Sequence, residues 1–371
     1  MRVVFRTDAS LHIGIGHVMR CLTLADALVA RGAECQFLCR EHEANLIEFI
    51  SSKGYFVHAL PFSHDANACF SAPFADASSA GTTHSHWLGA TQTEDAEASA
   101  PILATQRPDW LIVDHYALDA RWERALAPHY RKLMVIDDLA DRPHDCDLLL
   151  DQNLGRTAED YGDLLRTHTT TLIGPRYALL RPEFAQLRAE SLARRANPQL
   201  KHLLITMGGV DKDNATGRVL DALNVCPLPL GLHITVVMGP HAPWLQQVQT
   251  QAAQMSRPTQ VLVGVDDMAR LMAGSDLAIG AAGGTAWERC CLGLPTLVLV
   301  LAENQQAGAA ALQNAGAAIA MQSATEIQHV MQNRLLSGDA ALLQQLSLAA
   351  AQVTDGNGVS QIIERLMSQH V

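Results

Sequence analysis

The chain has 371 residues, 48% of them hydrophobic and 18% charged, with a formal net charge of −11. That length suits two domains with ample buried core, and an acidic chain with dispersed Lys and Arg argues against a nucleic-acid partner. No apolar run reaches the ~20 residues of a membrane span, and the N-terminus opens at once on a strand, so no signal peptide is expected. A soluble cytoplasmic protein with no membrane partner is expected. The 8 cysteines (Cys21, Cys35, Cys39, Cys69, Cys146, Cys226, Cys290 and Cys291) show neither a C-x-x-C pair nor zinc spacing. They read as small buried hydrophobes in a reducing compartment.

The first strand, Val3–Arg6, runs into a polar loop holding Asp8, Gly14 and Gly16, and His17 then opens an amphipathic helix over Val18–Arg31. A strand, a glycine turn and a helix N-terminus form an anion site, because the first helical N–H groups lack partners and face outward. A histidine at that point is placed to move a proton near neutral pH, and the positive helix end favours the neutral form that a base needs. Further strands are expected at Cys35–Cys39, Phe56–Leu60, Trp110–Asp114, Leu133–Asp137, Leu148–Asp151 and Thr171–Ile173, with a helix over His42–Ser52. Continuous apolar strands alternating with helices describe a parallel sheet covered on both faces. Asp8, Asp114, Asp137, Asp138 and Asp151 fall at strand ends, where a carboxylate can bind substrate hydroxyls, orient His17 or cap the next helix.

Residues 63–100 are rich in Ala, Ser, Thr, His and Asp without a steady period, and read as a surface insertion. Its histidines His64, His84 and His86 lack a carboxylate or cysteine to complete a ligand set, so no metal is expected. Arg188–Leu200 is polar and basic and reads as a helix end and an interdomain linker. A second alternation follows, with strands at His202–Met207, His233–Met238, Val261–Val265, Leu277–Gly280, Thr296–Leu301 and Ala317–Met321. Helices over Ala341–Val353 and Val359–Gln369 close the chain. The expected plan is an α/β protein with two Rossmann-like doubly wound domains: residues 1–187, a linker at 188–200, residues 201–340 and closing helices at 341–371. Ligands would bind in an interdomain cleft beyond the carboxyl ends of both sheets.

Three glycine turns directly follow strands of the second half: Met207-Gly208-Gly209-Val210-Asp211, Met238-Gly239-Pro240 and Ala281-Ala282-Gly283-Gly284-Thr285. Glycine lets backbone N–H groups approach a phosphate closely. Glu288, one turn into the helix after the third, can accept hydrogen bonds from a ribose diol. There is no P-loop, and Gly14-Ile15-Gly16-His17 lacks the third glycine and the acidic partner of the dinucleotide fingerprint. No nicotinamide or flavin cofactor is expected.

Phe5-Arg-Thr-Asp-Ala-Ser10 with Gly14-Ile-Gly-His17-Val-Met-Arg20 resembles the signature of the UDP-2,4-diacetamido-2,4,6-trideoxy-β-L-altropyranose hydrolases of pseudaminic acid biosynthesis. Asp114-His-Tyr116, Ile136-Asp-Asp138, Gly174-Pro-Arg-Tyr177-Ala-Leu-Leu-Arg181, Met207-Gly-Gly-Val-Asp211 and Glu303-Asn304-Gln305 extend the resemblance over nearly the whole chain. It implies a MurG-like GT-B architecture in which water, activated by His17, splits UDP from the sugar without a cofactor or metal. It also implies a sugar side formed by Asp8, Gly14, Gly16, Arg20, Asp114, Tyr116, Tyr177, Asn304 and Gln305. The UDP side would comprise Gly208, Gly209, Asp211, Gly239, Gly283, Gly284 and Thr285, with uracil near Val265 and Met268 and the ribose on Glu288. The free sugar would pass to a nonulosonic acid synthase serving surface glycans such as flagellin, and a monomer is expected. A MurG-like transferase or a hydrolase for an isomeric UDP-diacetamido sugar would use the same framework, but the N-terminal half shows no apolar, basic membrane-docking patch.

Overall fold

The computed structural model describes residues 1–62, 84–335 and 340–368; His64, Cys69 and the larger part of the expected insertion lie outside these. The chain forms two compact units, Met1–Leu179 with Val359–Val371, and Leu180–Gly358. No helix among the described residues is long and apolar enough to cross a membrane.

The first unit runs β1 (Arg2–Thr7), α1 (Gly16–Val29), β2 (Glu34–Arg40), α2 (Ile47–Ser52), β3 (Phe56–Leu60), α3 (Gln92–Gln106), β4 (Trp110–Asp114), α4 (Ala120–Leu126), β5 (Lys132–Ile136), β6 (Leu148–Asp151) and β7 (Thr170–Ile173). All seven strands are parallel, in the order β3-β2-β1-β4-β5-β6-β7. Successive residues of the inner strands alternate between two buried faces. Val3, Phe5, Ile112 and Met134 pack with α1 on one face. Val4, Leu111, Val113 and Val135 pack with Ala96 and Leu103 of α3 and with Trp122 on the other. The order reverses between β1 and β4, which makes their carboxyl ends the switch point where side chains from two crossovers meet.

The second unit runs α5 (Pro182–Arg195), β8 (His202–Thr206), α6 (Ala215–Asn224), β9 (His233–Met238), α7 (Leu245–Ala253), β10 (Thr259–Val263), α8 (Met268–Gly274), β11 (Leu277–Ala281), α9 (Thr285–Cys291), β12 (Thr296–Leu299), α10 (Gln306–Asn314), β13 (Ile319–Met321), α11 (Glu326–Val330) and α12 (Ala340–Val353). Its six parallel strands are ordered β10-β9-β8-β11-β12-β13, with the reversal between β8 and β11. The last helix, α13 (Gly358–Ser368), returns to the first unit. There Ile362, Ile363 and Leu366 join the α1-side core, and the Trp110 indole donates to the Leu366 carbonyl at 3.2 Å. The two closing helices therefore belong to different units.

Three further expectations are corrected. The helix over His42–Ser52 starts only at Ile47, because Ala44 turns left-handed (φ 57°) and the Asn45 side chain accepts from the Ile47 N–H at 3.0 Å. The segment 188–200, expected as a helix end and linker, stays helical as far as Arg195, which leaves only residues 196–200 as connection. Pro182 opens α5 at a position where its missing N–H costs nothing. Arg188 donates to the Ala351 carbonyl at 2.6 Å and Arg195 to the Ser275 carbonyl at 2.8 Å, binding α5 to the carbonyl ends of α12 and α8. Residues 84–100 are not a surface appendage. Thr91 and Glu94 form a capping box that starts α3, and Asp95 one residue later is fully buried.

Asp95 accepts from Arg6 Nη2 at 2.7 Å, Arg40 Nη2 at 2.6 Å and the Trp122 indole at 2.9 Å. Burial opposes its ionisation, but Arg6 and Arg40 outweigh that and hold the carboxyl below its usual range. Replacing Asp95 by alanine leaves two buried guanidiniums short of a partner. Asp95→Ala is expected to cost about 3–5 kcal/mol of stability in urea denaturation; a loss under about 1 kcal/mol would show that the arginines are satisfied without it.

Candidate active site

The sugar-side residues expected in the first unit gather at the carboxyl edge of its sheet. The loop after β1 is a tight turn in which Gly14 (φ 77°) donates to the Ser10 carbonyl at 2.8 Å. Ser10 Oγ accepts from the Ile13 N–H at 3.0 Å. No side chain caps α1, so its first N–H groups are free of protein acceptors in that role. His17 is the second residue of α1 and is 8% exposed. Its Nδ1 lies 2.6 Å from Oδ1 of Asp114, the last residue of β4. Arg20, one turn further on, grips the same carboxylate with Nε and Nη2 at 2.6 and 2.7 Å and reaches Asp138 Oδ2 with Nη1 at 2.7 Å. The Tyr116 hydroxyl donates to that Asp138 oxygen, also at 2.7 Å.

Burial pushes the Asp114 carboxyl up, but Arg20 and His17 outweigh it and hold the group well below the ordinary carboxylate range. An ionised Asp114 takes the proton side of Nδ1, so His17 donates there and presents the Nε2 lone pair. In this tautomer Arg20 Nη2, 3.3 Å from Nδ1, is a neighbouring charge rather than a donor to the ring.

Asp8 sits beside this group with Oδ1 hydrogen-bonded by protein, while Oδ2 is buried opposite two histidines without a well-formed hydrogen bond. Its Oδ1 accepts from Arg6 Nη1 and from the Arg40 N–H, both at 2.7 Å. His115 Nε2 and His42 Nε2 stand 3.2 and 3.5 Å from Oδ2. Against its desolvation, Arg6 and then the two histidines keep Asp8 well below its usual range. Gly16 begins α1. Tyr177 lies in a short turn after β7, packs on the α1-side core with its ring 4.6 Å from the Arg176 guanidinium, and has no recorded hydrogen bond to the His17 group.

In the second unit the three glycine turns follow β8, β9 and β11, which are adjacent strands, so the topology brings them to one edge. Gly208 is left-handed (φ 95°), and a Cβ on Gly239 would collide with the Gly209 carbonyl oxygen, which ties two of the turns together. Gly283 and Gly284 are exposed, and Thr285 begins α9. Val265 and Met268 flank the loop after β10 at the same edge. Asn304 and Gln305 form a short turn after β12, in which Gln305 Oε1 accepts from the Leu301 N–H at 3.1 Å. Asp211 has both oxygens engaged by backbone, accepting from Ala215 and Thr216 N–H groups at 2.7 and 2.9 Å; it caps α6. Close packing, opposed by Arg181 and Arg289, raises the Glu288 carboxyl to about 7. Arg289 is 1% exposed and fixed behind the third turn, donating to the Ala281 carbonyl at 2.7 Å and to Thr285 Oγ1 at 3.1 Å.

Several residues of the first edge were not singled out from the sequence: Arg6, Arg40, His42, Asp95, His115, Arg142, Asn153 and Tyr161, together with Trp87; His84 figures there only as a metal ligand weighed and set aside. His42 and His115 each follow closely after a strand end, a position that could have flagged them. The others become neighbours only through pairing of distant strands. Among the described residues no group of three or more His, Cys, Asp or Glu could hold a metal ion.

Beside Asp138, the Tyr161 hydroxyl lies 3.0 Å from Asp137 Oδ2 and 2.9 Å from Asp151 Oδ2. A phenol has one proton, so both contacts are satisfied when one carboxyl carries a proton of its own. Asp137 is fully buried, but Arg142 leads the contacts that hold it down, at about 2. Asp151 is pushed up to about 7 by burial and by the Asp138 charge. Asp151 therefore donates to Tyr161, which donates to Asp137. Its folded value lies above its unfolded one, so between pH ~4 and ~7 the folded state binds the extra proton and stability falls as pH rises. Asp151→Asn, whose amide also donates, is expected to flatten the decline in melting temperature between pH 5 and pH 8; an unchanged slope would place the proton elsewhere.

Residues 203–366 match the model of the glycosyltransferase family 28 C-terminal domain. The chain is 24% identical to the uncharacterized protein MJ1062 of Methanocaldococcus jannaschii over 82% of its own length, and spans 57% of that protein. It is 25% identical to the UDP-2,4-diacetamido-2,4,6-trideoxy-β-L-altropyranose hydrolase of Campylobacter jejuni, over 85% of this chain and 97% of that one. Among solved structures, Acinetobacter baumannii MurG superposes with a TM-score of 0.69 at 16% identity, covering 99% of both chains. With two parallel doubly wound sheets and these neighbours, the chain is a two-domain Rossmann-like protein of the GT-B type that resembles the UDP-diacetamido-trideoxy-altropyranose hydrolases and MurG.

Proposed function

We propose that this chain is an enzyme that hydrolyses a UDP-linked 2,4-diacetamido-2,4,6-trideoxy hexose, the β-L-altro isomer of pseudaminic acid biosynthesis, to UDP and the free sugar. The observation that carries this reading is the His17–Asp114–Arg20 arrangement. Asp114, pinned by a bidentate arginine, orients the imidazole through Nδ1 and leaves Nε2 to accept a proton from water. The bond formed joins the water oxygen to the anomeric carbon, and the bond broken joins that carbon to the β-phosphate oxygen. The water proton goes to Nε2, and the imidazolium is stabilised by Asp114 as in other base–carboxylate pairs.

The nucleotide is assigned to the second unit. Gly208, Gly209, Gly239, Gly283, Gly284 and Thr285 supply a backbone-lined edge for the diphosphate, with Arg289 fixed behind it. Asp211 serves by shaping the first turn. Val265 and Met268 take the uracil, Glu288 the ribose, and Asn304 and Gln305 the sugar. Asp8, Gly14, Gly16, Arg20, Tyr116 and Tyr177 complete the sugar side by holding the loop and helix around His17. UDP leaves as an anion met by N–H groups, so the proposal includes no metal or cofactor. We place the enzyme in the cytoplasm as a monomer.

The direct test is a panel of UDP-diacetamido sugars incubated without any acceptor, with products weighed by mass spectrometry. Release of UDP and free sugar at full rate is expected for the altro isomer, and turnover only when an acceptor alcohol is added would make the chain a transferase. His17→Ala should lower kcat at least ~10³-fold while UDP binding stays within about twofold. Asp114→Asn, which favours the wrong tautomer, should cost ~10²–10⁴-fold in kcat. Near-wild-type rates in either variant would remove His17 from the role of base.

A further inference from the structure

The Ser85–Leu88 turn brings an aromatic ring to His17 that the strand-end loops do not supply. The Trp87 indole stacks on Tyr116 with centroids 5.6 Å apart and planes 22° apart. His84 stands edge-on to Trp87 at 4.5 Å and to Tyr116 at 5.3 Å. His17 stands edge-on to Tyr116 at 4.6 Å and to Trp87 at 6.5 Å. His86 stands edge-on to Trp87 at 6.2 Å, so that five rings from three separate stretches of chain form one cluster that includes the proposed base. The turn is held in place at its end: Leu88 is 1% exposed in the core beneath α3, and Gly89 (φ 65°) packs so closely that a Cβ would lie 2.7 Å from the Phe62 ring and 2.9 Å from His42.

Tyr116 and His17 are 7% and 8% exposed, whereas Trp87 and His84 remain partly accessible. Trp87, stacked on Tyr116 and met edge-on by His84 and His86, is the large apolar ring of this cluster that keeps some accessible surface beside the base. Ring faces of this kind bind the C–H edges and methyl groups of sugars, which water solvates poorly. We infer that Trp87 is a specificity-determining residue whose indole receives the C6 methyl and an acetamido methyl of the substrate sugar. The inference rests on the reading that His17 serves the sugar. It fits a deoxy, acetamido-bearing hexose better than one whose C6 carries a hydroxyl.

Steady-state kinetics and tryptophan emission test it together. Trp87→Ala is expected to raise KM for the UDP-diacetamido-trideoxy sugar about tenfold with a smaller change in kcat. Its preference for that substrate over UDP-N-acetylglucosamine should narrow, while UDP inhibition and the melting temperature stay as in the wild type. An unchanged KM and unchanged preference would reduce Trp87 to a packing residue and overturn the inference. Should the alanine variant fail to fold, Trp87→Phe in a His17→Ala background gives the second readout. The sugar nucleotide, beyond what UDP alone produces, should change the emission of His17→Ala and leave that of the double variant unaltered; equal responses overturn the contact. A wild-type chain that releases no UDP from any of these sugars would overturn the hydrolase reading instead, and the emission measurement would still decide the Trp87 contact on its own.

Discussion

A carboxylate buried at the centre of a parallel sheet stays ionised only if cations are brought to it, and Asp114 is in that position. It ends β4 at full burial, and its charge is held by the Arg20 guanidinium and by a hydrogen bond from His17 Nδ1, both on the first turns of α1. The interaction fixes where α1 sits over the β1–β4 switch point, which nitrogen of His17 carries the proton, and where Arg20 has reach left for Asp138. Removing Arg20 leaves the buried Asp114 carboxylate to His17, and removing Asp114 leaves Arg20 to Asp138; losing part of the pairing of a buried ion is costly. Local geometry at the proposed base and packing of the first helix are thus one constraint.

The same edge is built from similar couplings. Asp95 joins Arg6 and Arg40, Arg6 joins Asp8, and the Asp137–Tyr161–Asp151 chain extends the pattern toward β6. Low local dielectric strengthens each contact and raises the cost of any partner left over. A network of this kind contributes little net stability over an apolar core, and its value here is a rigid, highly polar surface beside His17. The aromatic cluster of His84, Trp87 and Tyr116 lies against that surface, so apolar and ionic recognition stand side by side.

The second unit solves a different problem with different means. Its edge presents glycine turns and backbone N–H groups instead of ion pairs, and Asp211 is spent on capping α6. A dispersed field of amides, with Arg289 fixed behind one turn, suits a spread anionic charge without the reorganisation that flexible side chains require. Side-chain chemistry in one unit and backbone chemistry in the other is the division on which the proposed function rests.

All thirteen strands were legible in the amino-acid order, because buried parallel strands are short apolar runs and little else in this chain has that form. The glycine turns and the His17 loop were legible for the same local reason: backbone chemistry is written in adjacent residues. The His42–Ser52 helix was overextended because Ala44 carries no signal of its left-handed turn. Residues 84–100 were misread because a buried aspartate looks like a solvated one until Arg6, Arg40 and Trp122 converge on it. The pairing of His17 with Asp114, 97 positions apart, could be expected only as one option among several strand-end carboxylates. Sequence by itself determined the alternation of elements, the two-sheet plan and the residues available at each loop. Tertiary structure alone decided which of them meet, because strand order, and with it every charge partner at the sheet edge, depends on long-range pairing that no local pattern encodes.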